Sequence, residues 1–547
     1  MSFRKNLNEQ IYVKDWLKWK PYSSHTRYDK DFVAIANEVK NLLQNHPGGW
    51  FHSFDYRKED YKNLALLLTS YFEDYISEIG IWKAYIDYNK RLFGKYLPFY
   101  DLEEYDPDDI NHQDMAFLIW YFMCVNSGRF FGPDAPDILD ISKDLFRLLE
   151  PKIEEVFVSE FYDSYFNIPD DIDFFELKNR LKWFALHSYL PGFEFSLRFA
   201  EDAAEYFEKN PEMGADPDMI GKMVYAFQED YLYSKRSKLS AFSTLEWFSA
   251  VATCSEKMKQ NILDLRKRVM SLFLYEGHDA QYYQFSQLQT KKLVSVHKES
   301  FTMNTRKTKE GESFFLTLVE WQGDWWLTGT LMGWGKPASD NLSDFDQDLG
   351  SIPFYLYSLE EQTGIIKNTD TMEANFLDYF HDQFILVKNQ QELQKAMDKF
   401  LEYNSDQLFR KRKNEAVDPK LIEKKFSKMK KKPNWGAFDF DSKMGSAIVF
   451  IPGAGITIDP DLPELIRLMQ KKRIKIEEQN QLFFSLFGEL PHPDIARILL
   501  AQYPVRNIRF PIAASRIDPL ENTEFLLRFL NPDAFGEPIP LMRNIPE

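Results

Sequence analysis

The sequence predicts an α+β, multidomain protein: a mostly helical N-terminal region, a small antiparallel β-barrel-like module and an α/β C-terminal region. Three observations carry this. Apolar residues recur at steps of three and four from Tyr28 to Tyr275. After Gly277 the period falls to two, in short runs broken by turn residues. Beyond an acidic, turn-rich stretch from Lys336 to Ser351, helix and strand patterns mix. At 547 residues the chain exceeds what one hydrophobic core supports, and the usual domain size gives roughly three or four domains. The implied boundaries are 1–277, 278–350 and 351–547.

Taken in order, "RYDKDFVAIANEVKNLL", "YKNLALLLTSYFEDYISEI" and "IWKAYIDYNKRLFGKYL" each carry one apolar helical face. "DINHQDMAFLIWYFMCV" begins on a helix-start signal, Asn111 as N-cap with Asp114 three residues on, and is then apolar nearly all round, as in a helix buried on several sides. A long helix is expected from about Leu245 to Tyr275, closed by Gly277. Its stripe of Phe248, Val251, Ser255, Met258, Ile262, Leu265, Val269 and Leu272 marks it as a spine packed on other helices. "YYQFSQL", "KKLVSVHK", "SFTMNT", "SFFLTLVEW" and "WWLTGTLMGW" read as five short strands, enough for a small barrel. In the last region "QFILV" is a strand and "NQQELQKAMDKFLEYN" a helix, and "SAIVFIPGAGITIDP" is a pair of strands around a glycine turn. "DPDLPELIRLMQKKR" starts a helix at Asp459 or Asp461 with proline in its first turn.

Composition narrows the class. Hydrophobic residues at 44% and aromatics at 16% specify a folded chain with bulky cores. The longest apolar run, Ala116 to Val125, is ten residues, too short for a hydrocarbon layer of ~30 Å. The N-terminus shows no export signal. The two cysteines, Cys124 and Cys254, sit in apolar surroundings that suit free thiols. The expectation is a cytoplasmic protein without a membrane partner. A formal charge of −17 makes nucleic acid a poor partner for the molecule as a whole.

No spacing of residues specifies a reaction. Among nine histidines none is paired at i,i+4 or as H-x-H, so no zinc pattern exists. "DPDDINHQD", Asp106 to Asp114, fails as a calcium loop, with Asn111 where glycine is required and Phe117 where glutamate is required. "PGAG", Pro452 to Gly455, lacks the third glycine of a dinucleotide loop and the Gly-Lys-Ser/Thr of a Walker loop, and reads as a hairpin turn. No G-x-S-x-G elbow occurs, Cys124 lies among apolar neighbours unsuited to a thiolate, and His187 reads as an ordinary core or surface histidine. No metal or cofactor is called for.

Two features remain as candidate binding sites. "WQGDWWLTGTLMGWG" places four of twelve tryptophans between Trp321 and Gly335. As a hairpin over a three-residue loop, Gln322-Gly323-Asp324, it pairs Trp321 with Trp325 and Val319 with Leu327 on one apolar face, leaving Trp326 and Trp334 on or beside a mixed face. The expected arrangement has one face filling the barrel and the other packed on a neighbouring domain, with Trp326 and Trp334 as candidate ligand-binding rings. Small barrels of SH3 or OB type bind peptides or single strands with such rings. Against the global charge, Arg410 to Lys432 carries eleven basic and three acidic residues. Arg410, Lys411, Arg412, Lys413, Lys424, Lys425, Lys428, Lys430, Lys431 and Lys432 form its basic patch. A solvated connecting helix is its commonest meaning, and a phosphate-binding or acidic-protein-binding segment the sharper alternatives.

Several long motifs also carry a resemblance. "IYVKDWLKWKPY", "YFEDYISEIGIWKAYIDYNKRLFGKYLPFYD", "DINHQDMAFLIWYF" and "EWQGDWWLTGTLM" are similar to a family of bacterial domains of unknown function from gut-type anaerobes, over roughly residues 10–335. The resemblance implies a cytoplasmic bacterial protein and brings no assigned activity, so no catalytic or binding residue follows from it. The leading reading is therefore a soluble binding or interaction protein, non-enzymatic, using the Trp-rich β-module toward an unidentified partner, a protein being one candidate. A hydrolase with a carboxylate-lined cleft between helical half and β-module is the alternative from another class, and nucleic-acid association through 410–432 a third.

Overall fold

The three-and-four spacing of the N-terminal half folds as α1 (Val13–Trp16), α2 (Asp29–Asn45), α3 (Lys58–Ile76), α4 (Ile81–Phe93), α5 (His112–Ser127), α6 (Pro136–Leu149), α7 (Phe161–Phe166), α8 (Phe174–His187), α9 (Pro191–Lys209), α10 (Pro217–Tyr233), α11 (Thr244–Val251) and α12 (Glu256–Asp264). The computed structural model describes residues 10–47, 56–211, 217–335, 359–413 and 445–536, apart from 289, 504, 506, 507, 513 and 514. The chain divides into two units, Met1–Leu356 with Phe510–Asp533, and Tyr357–Arg509 with Ala534–Glu547.

In the first unit α5 is the buried axis, enclosed from Gln113 to Cys124 as its all-round apolar sequence requires. Trp120 at its centre donates its indole N–H to the Phe131 carbonyl at 2.9 Å, which satisfies the one polar atom the ring carries inward. A late segment completes this core: helix Thr523–Leu530 places Phe529 4.9 Å from Trp120 and Phe525 5.2 Å from Phe99. Asn111 stands at the N-cap, but its amide turns outward to the Asp106 and Asp109 carbonyls instead of capping the helix.

The long spine expected over 245–275 is not one helix. Its apolar stripe is buried as expected at Phe248, Met258, Ile262 and Leu265, yet the backbone breaks twice. A capping box at Ser243 and Glu246 starts α11. Thr253 then leaves the helix to exchange backbone hydrogen bonds with Phe166 and Ile168, and Ser255 caps α12. From Val269 the chain becomes β1 (Val269–His278), because its β-branched and aromatic residues find two sheet neighbours there and tertiary pairing outweighs helical spacing.

Four more strands follow, β2 (Tyr282–Gln287), β3 (Leu293–His297), β4 (Ser313–Trp321) and β5 (Asp324–Gly335). "SFTMNT", read as a strand, is instead the connection after β3: Phe301 packs on Tyr283 at 4.9 Å and the Met303 amide donates to the Tyr283 hydroxyl, so its apolar residues plug one end of the barrel. The barrel closes in the order β1-β2-β3-β5-β4. All neighbours are antiparallel except β3 and β5, which run parallel.

The tryptophan hairpin has a different register from the one its sequence suggested. The turn is two residues, Gln322 and Gly323, both at positive φ (51° and 92°), the conformation a tight hairpin favours. Trp321 therefore pairs with Asp324, Glu320 with Trp325, Val319 with Trp326 and Leu318 with Leu327. A one-residue slip exchanges the faces. Phe314, Leu316, Leu318 and Leu327, with the half-buried Trp325, fill the barrel. Trp321 and Trp326 point outward onto α8, with Phe174 6.1 Å from Trp321 and 5.0 Å from Trp326. Trp326→Ala is expected to cost about 3 kcal/mol in chemical denaturation and Trp325→Ala about half that, since only the former is buried. Equal losses would contradict this register.

In the second unit, α13 (Leu359–Phe380) and α14 (Gln390–Lys413) pack on a three-stranded antiparallel sheet of β6 (Phe384–Val387), β7 (Ser446–Ile451) and β8 (Gly455–Asp459). Phe376, Leu393, Met397, Phe400, Ile448 and Phe450 form its core. "PGAG" is the β7–β8 hairpin turn, with Gly453 and Gly455 at φ 74° and 98°. The Asp459 carboxylate accepts from the amides of Asp461 and Leu462 and so starts α15 (Leu462–Met469). α16 (Ile476–Phe484) and α17 (Pro493–Gln502) follow, and the Thr523–Leu530 helix of the first unit is α18.

Candidate functional site

Two turns meet at one corner of the barrel, 279–281 between β1 and β2 and Gln322-Gly323 between β4 and β5. Asp279 orders the first. Its carboxylate accepts from the amides of Gln281 at 2.8 Å and Tyr282 at 2.7 Å, and these backbone donors, Tyr282 first, hold its pKa below the usual carboxylate range. Tyr282 then reaches across, its hydroxyl donating to Asp324 at 3.0 Å, and so ties the two turns together.

From this link a row of rings runs into the protein. Tyr282 faces His297 across the β2–β3 pair, with ring centroids 5.4 Å apart, edge to face. His297 stacks on Trp326 at 4.7 Å and 17°, and Trp326 lies against Phe174 at 5.0 Å. Trp326 is 8% exposed, and its indole N–H has no hydrogen-bond partner. Beside the row, Ser295 donates to Gln284, Gln284 donates to Asp279, and Leu293 stands 63% exposed. The outer β2–β3 face thus presents rings, amides and hydroxyls, while α8 covers the outer β5 face at Trp326. The Gln322 side chain, donating to the Asp170 carbonyl at 3.0 Å, pins the second turn to the helical region.

A second polar cluster lies where the helices meet the barrel. Lys178 of α8 contacts Glu229 of α10 at 3.0 Å and donates to Thr328 of β5 at 3.0 Å and to the Tyr225 hydroxyl at 2.8 Å; Thr328 in turn donates to Glu229. Every charge here is spent on a neighbour, and a Cβ at Gly329 (φ 84°) would meet Thr317 and Glu229 at 3.5 Å. Such a knot fastens barrel to helices and leaves no group free for acid–base work. Among the described residues no group of three or more His, Cys, Asp or Glu is arranged to hold a metal ion.

Residues 10–276 match the model of a family described as "Protein of unknown function (DUF3843)". This part of the chain is similar to that family. The matched region takes in α1 to α12 and most of β1, and it supplies Asp170, Phe174, Lys178 and Glu229, the residues that seat the barrel. No curated protein and no solved structure matches the chain.

Of the residues singled out in the sequence, Trp326 is the buried end of the ring row. Trp334 is in β5, its side chain outside the described residues. Arg410 is exposed on α14, where it lines a shallow groove with Lys367, Asp370 and Gln407. Lys411, Arg412 and Lys413 end that helix, and their side chains, like the whole of Lys424, Lys425, Lys428, Lys430, Lys431 and Lys432, fall outside the described residues. Tyr282, His297 and Asp324 are not marked as a site by the sequence, because they become neighbours only through the β2–β3 and β4–β5 pairings. Their sequence trace is slight: a polar or aromatic residue at each strand end next to a turn.

Proposed function

We propose that this protein is a binding protein whose recognition surface is the barrel corner formed by Tyr282, His297 and Trp326 between the two turns. The observation that carries the reading is the strand order, β1-β2-β3-β5-β4 with β3 parallel to β5. It is the order of the five-stranded Greek-key barrel that takes oligonucleotides or oligosaccharides on its β2–β3 face and on these same two loops, an analogy of fold alone. The Tyr282 and His297 rings and the exposed Leu293 fit a face built to be covered. The saturated Lys178–Glu229 knot weighs against the hydrolase alternative.

Its setting is a bacterial cytoplasm, in keeping with free Cys124 and Cys254; burial pushes the Cys124 thiol up to about 12, which keeps it inert. Among the described residues no helix is long and apolar enough to cross a membrane.

The test is a screen of the full chain against immobilised peptides, oligosaccharides and oligonucleotides, repeated with a Tyr282→Ala, His297→Ala variant whose melting temperature is checked first. Ligands held by the parent are expected to bind the variant at least about tenfold more weakly, the effect of losing one stacking ring. If no ligand distinguishes the two proteins, the corner is not the recognition surface.

A further inference from the structure

The barrel corner is flanked by a local reversal of charge. Between residues 291 and 312 the chain carries Lys291, Lys292, Lys298, Arg306, Lys307 and Lys309 against the acids Glu299, Glu310 and Glu312, in a protein of formal charge −17. Lys291, Arg306, Lys307 and Lys309 are exposed. Lys291 and Lys292 precede β3 and Lys298 follows it, so the strand separates them by roughly 16 Å along one side of the open face. Exposed charges farther away than about 8 Å are largely screened at physiological salt, so this patch, and not the net charge, sets the field a ligand meets here.

The acids on the same face keep their charge but are fixed in place by hydrogen bonds, as is Lys298, whose ammonium donates to the Asp279 carbonyl. Asp279 holds two backbone amides, Asp324 accepts from Tyr282, and Glu276 accepts from the Ser286 hydroxyl. Between the basic ends lie ring surfaces: Tyr282 and His297 across β2–β3, and half-buried Phe301 beyond Lys298. Cations along an edge with rings between them fit a chain of alternating phosphates and bases. A purely acidic peptide would use the lysines and leave the rings idle, and a neutral glycan the reverse.

Resting on the recognition surface proposed above, we infer that its ligand is a single-stranded nucleic acid, with phosphates on Lys291, Lys292, Lys298 and the 306–309 loop and bases against Tyr282 and His297. The proposed site shares no residue with the basic segment 410–432.

The experiment is fluorescence anisotropy of the full chain with a labelled oligothymidylate of about 16 nucleotides and with labelled poly-glutamate, each across a salt series. Binding of the oligonucleotide is expected at about 50 mM salt, with a log–log salt slope that flattens by about 0.7 for each lysine neutralised in Lys291→Ala, Lys307→Ala and Lys309→Ala. Tyr282→Ala, His297→Ala should weaken it at least about tenfold at constant slope. Three results would overturn the inference: no binding at low salt, equal binding of poly-glutamate, or loss of binding on neutralising Lys424–Lys432 but not on neutralising 291–309. If a peptide or glycan from the screen still depends on Tyr282 and His297, the recognition surface stands and the nucleic-acid ligand falls. If nothing depends on them, both fall.

Discussion

Glu73→Ala is expected to destabilise the protein by about 3–5 kcal/mol in urea unfolding, far more than the loss of its methylenes would explain. Glu73, in the last turn of α3, forms an ion pair with Lys20, and both side chains are only 2% exposed. Lys20 follows a short 3-10 turn, Leu17–Trp19, and its ammonium lies 3.6 Å from the Trp16 ring centroid. Burial drives the two groups in opposite directions, lowering the pKa of the Lys20 ammonium and raising that of the Glu73 carboxyl, against the pull of each on the other. Removing one partner leaves a charge in a dry core. Asp29 and Asp74 lie close enough to act on Lys20, but each is occupied: Asp29 accepts from Trp16, Tyr22 and Thr26, and Asp74 accepts from the first amides of α4 and from Tyr189. The double replacement Lys20→Met, Glu73→Leu should recover most of the loss, because two packed apolar side chains need no desolvation to be repaid. If the double variant is as unstable as the single one, the cost lies in packing and the ion-pair account is wrong.

The same contrast between local pattern and tertiary demand explains what could be read from the sequence. The α5 sequence has one solution, since a helix apolar on every side must be enclosed, and its neighbours supply the enclosure. The "PGAG" hairpin was legible because two glycines at positive φ leave little else. The stretch from Leu245 to Tyr275 was not, because "VMSLFLY" suits a helix face and a buried strand equally, and only pairing with β4 and β2 decides between them. The hairpin register turned on one residue of loop length. That residue moved Trp326 from a supposed mixed face to the floor of the ring row, and the candidate site with it. Tyr282 and His297 are fifteen positions apart and Asp324 lies twenty-seven beyond His297, so no local rule joins them; barrel closure does.

Asp114 should make the protein lose stability as pH rises from about 4 to 7. Its carboxyl sits at the start of α5 and accepts from the hydroxyls of Tyr71 at 2.7 Å and Tyr105 at 2.8 Å, with the Asn111 amide at 3.4 Å. Complete burial raises its pKa to about 7, and the hydrogen bonds from Tyr71 and Tyr105 lower it without prevailing. Unfolded, the group titrates near ~3.9. The folded state therefore binds this proton more tightly than the unfolded state does. The resulting stabilisation is complete below the unfolded value, declines as pH climbs toward the folded one, and amounts to roughly 4 kcal/mol over that span. Burial raises Glu73 and Asp74 as well, so the parent curve alone does not isolate Asp114. Asp114→Asn does, because an amide has the shape of the protonated acid, can still donate and accept toward the two tyrosines, and cannot ionise. The difference between parent and variant unfolding free energies should change by most of that amount between pH 4 and pH 7 and stay constant above it, with the variant the more stable protein at neutral pH. Parallel curves across the window would mean that Asp114 is ionised in the folded state, held by its tyrosine donors against the cost of burial.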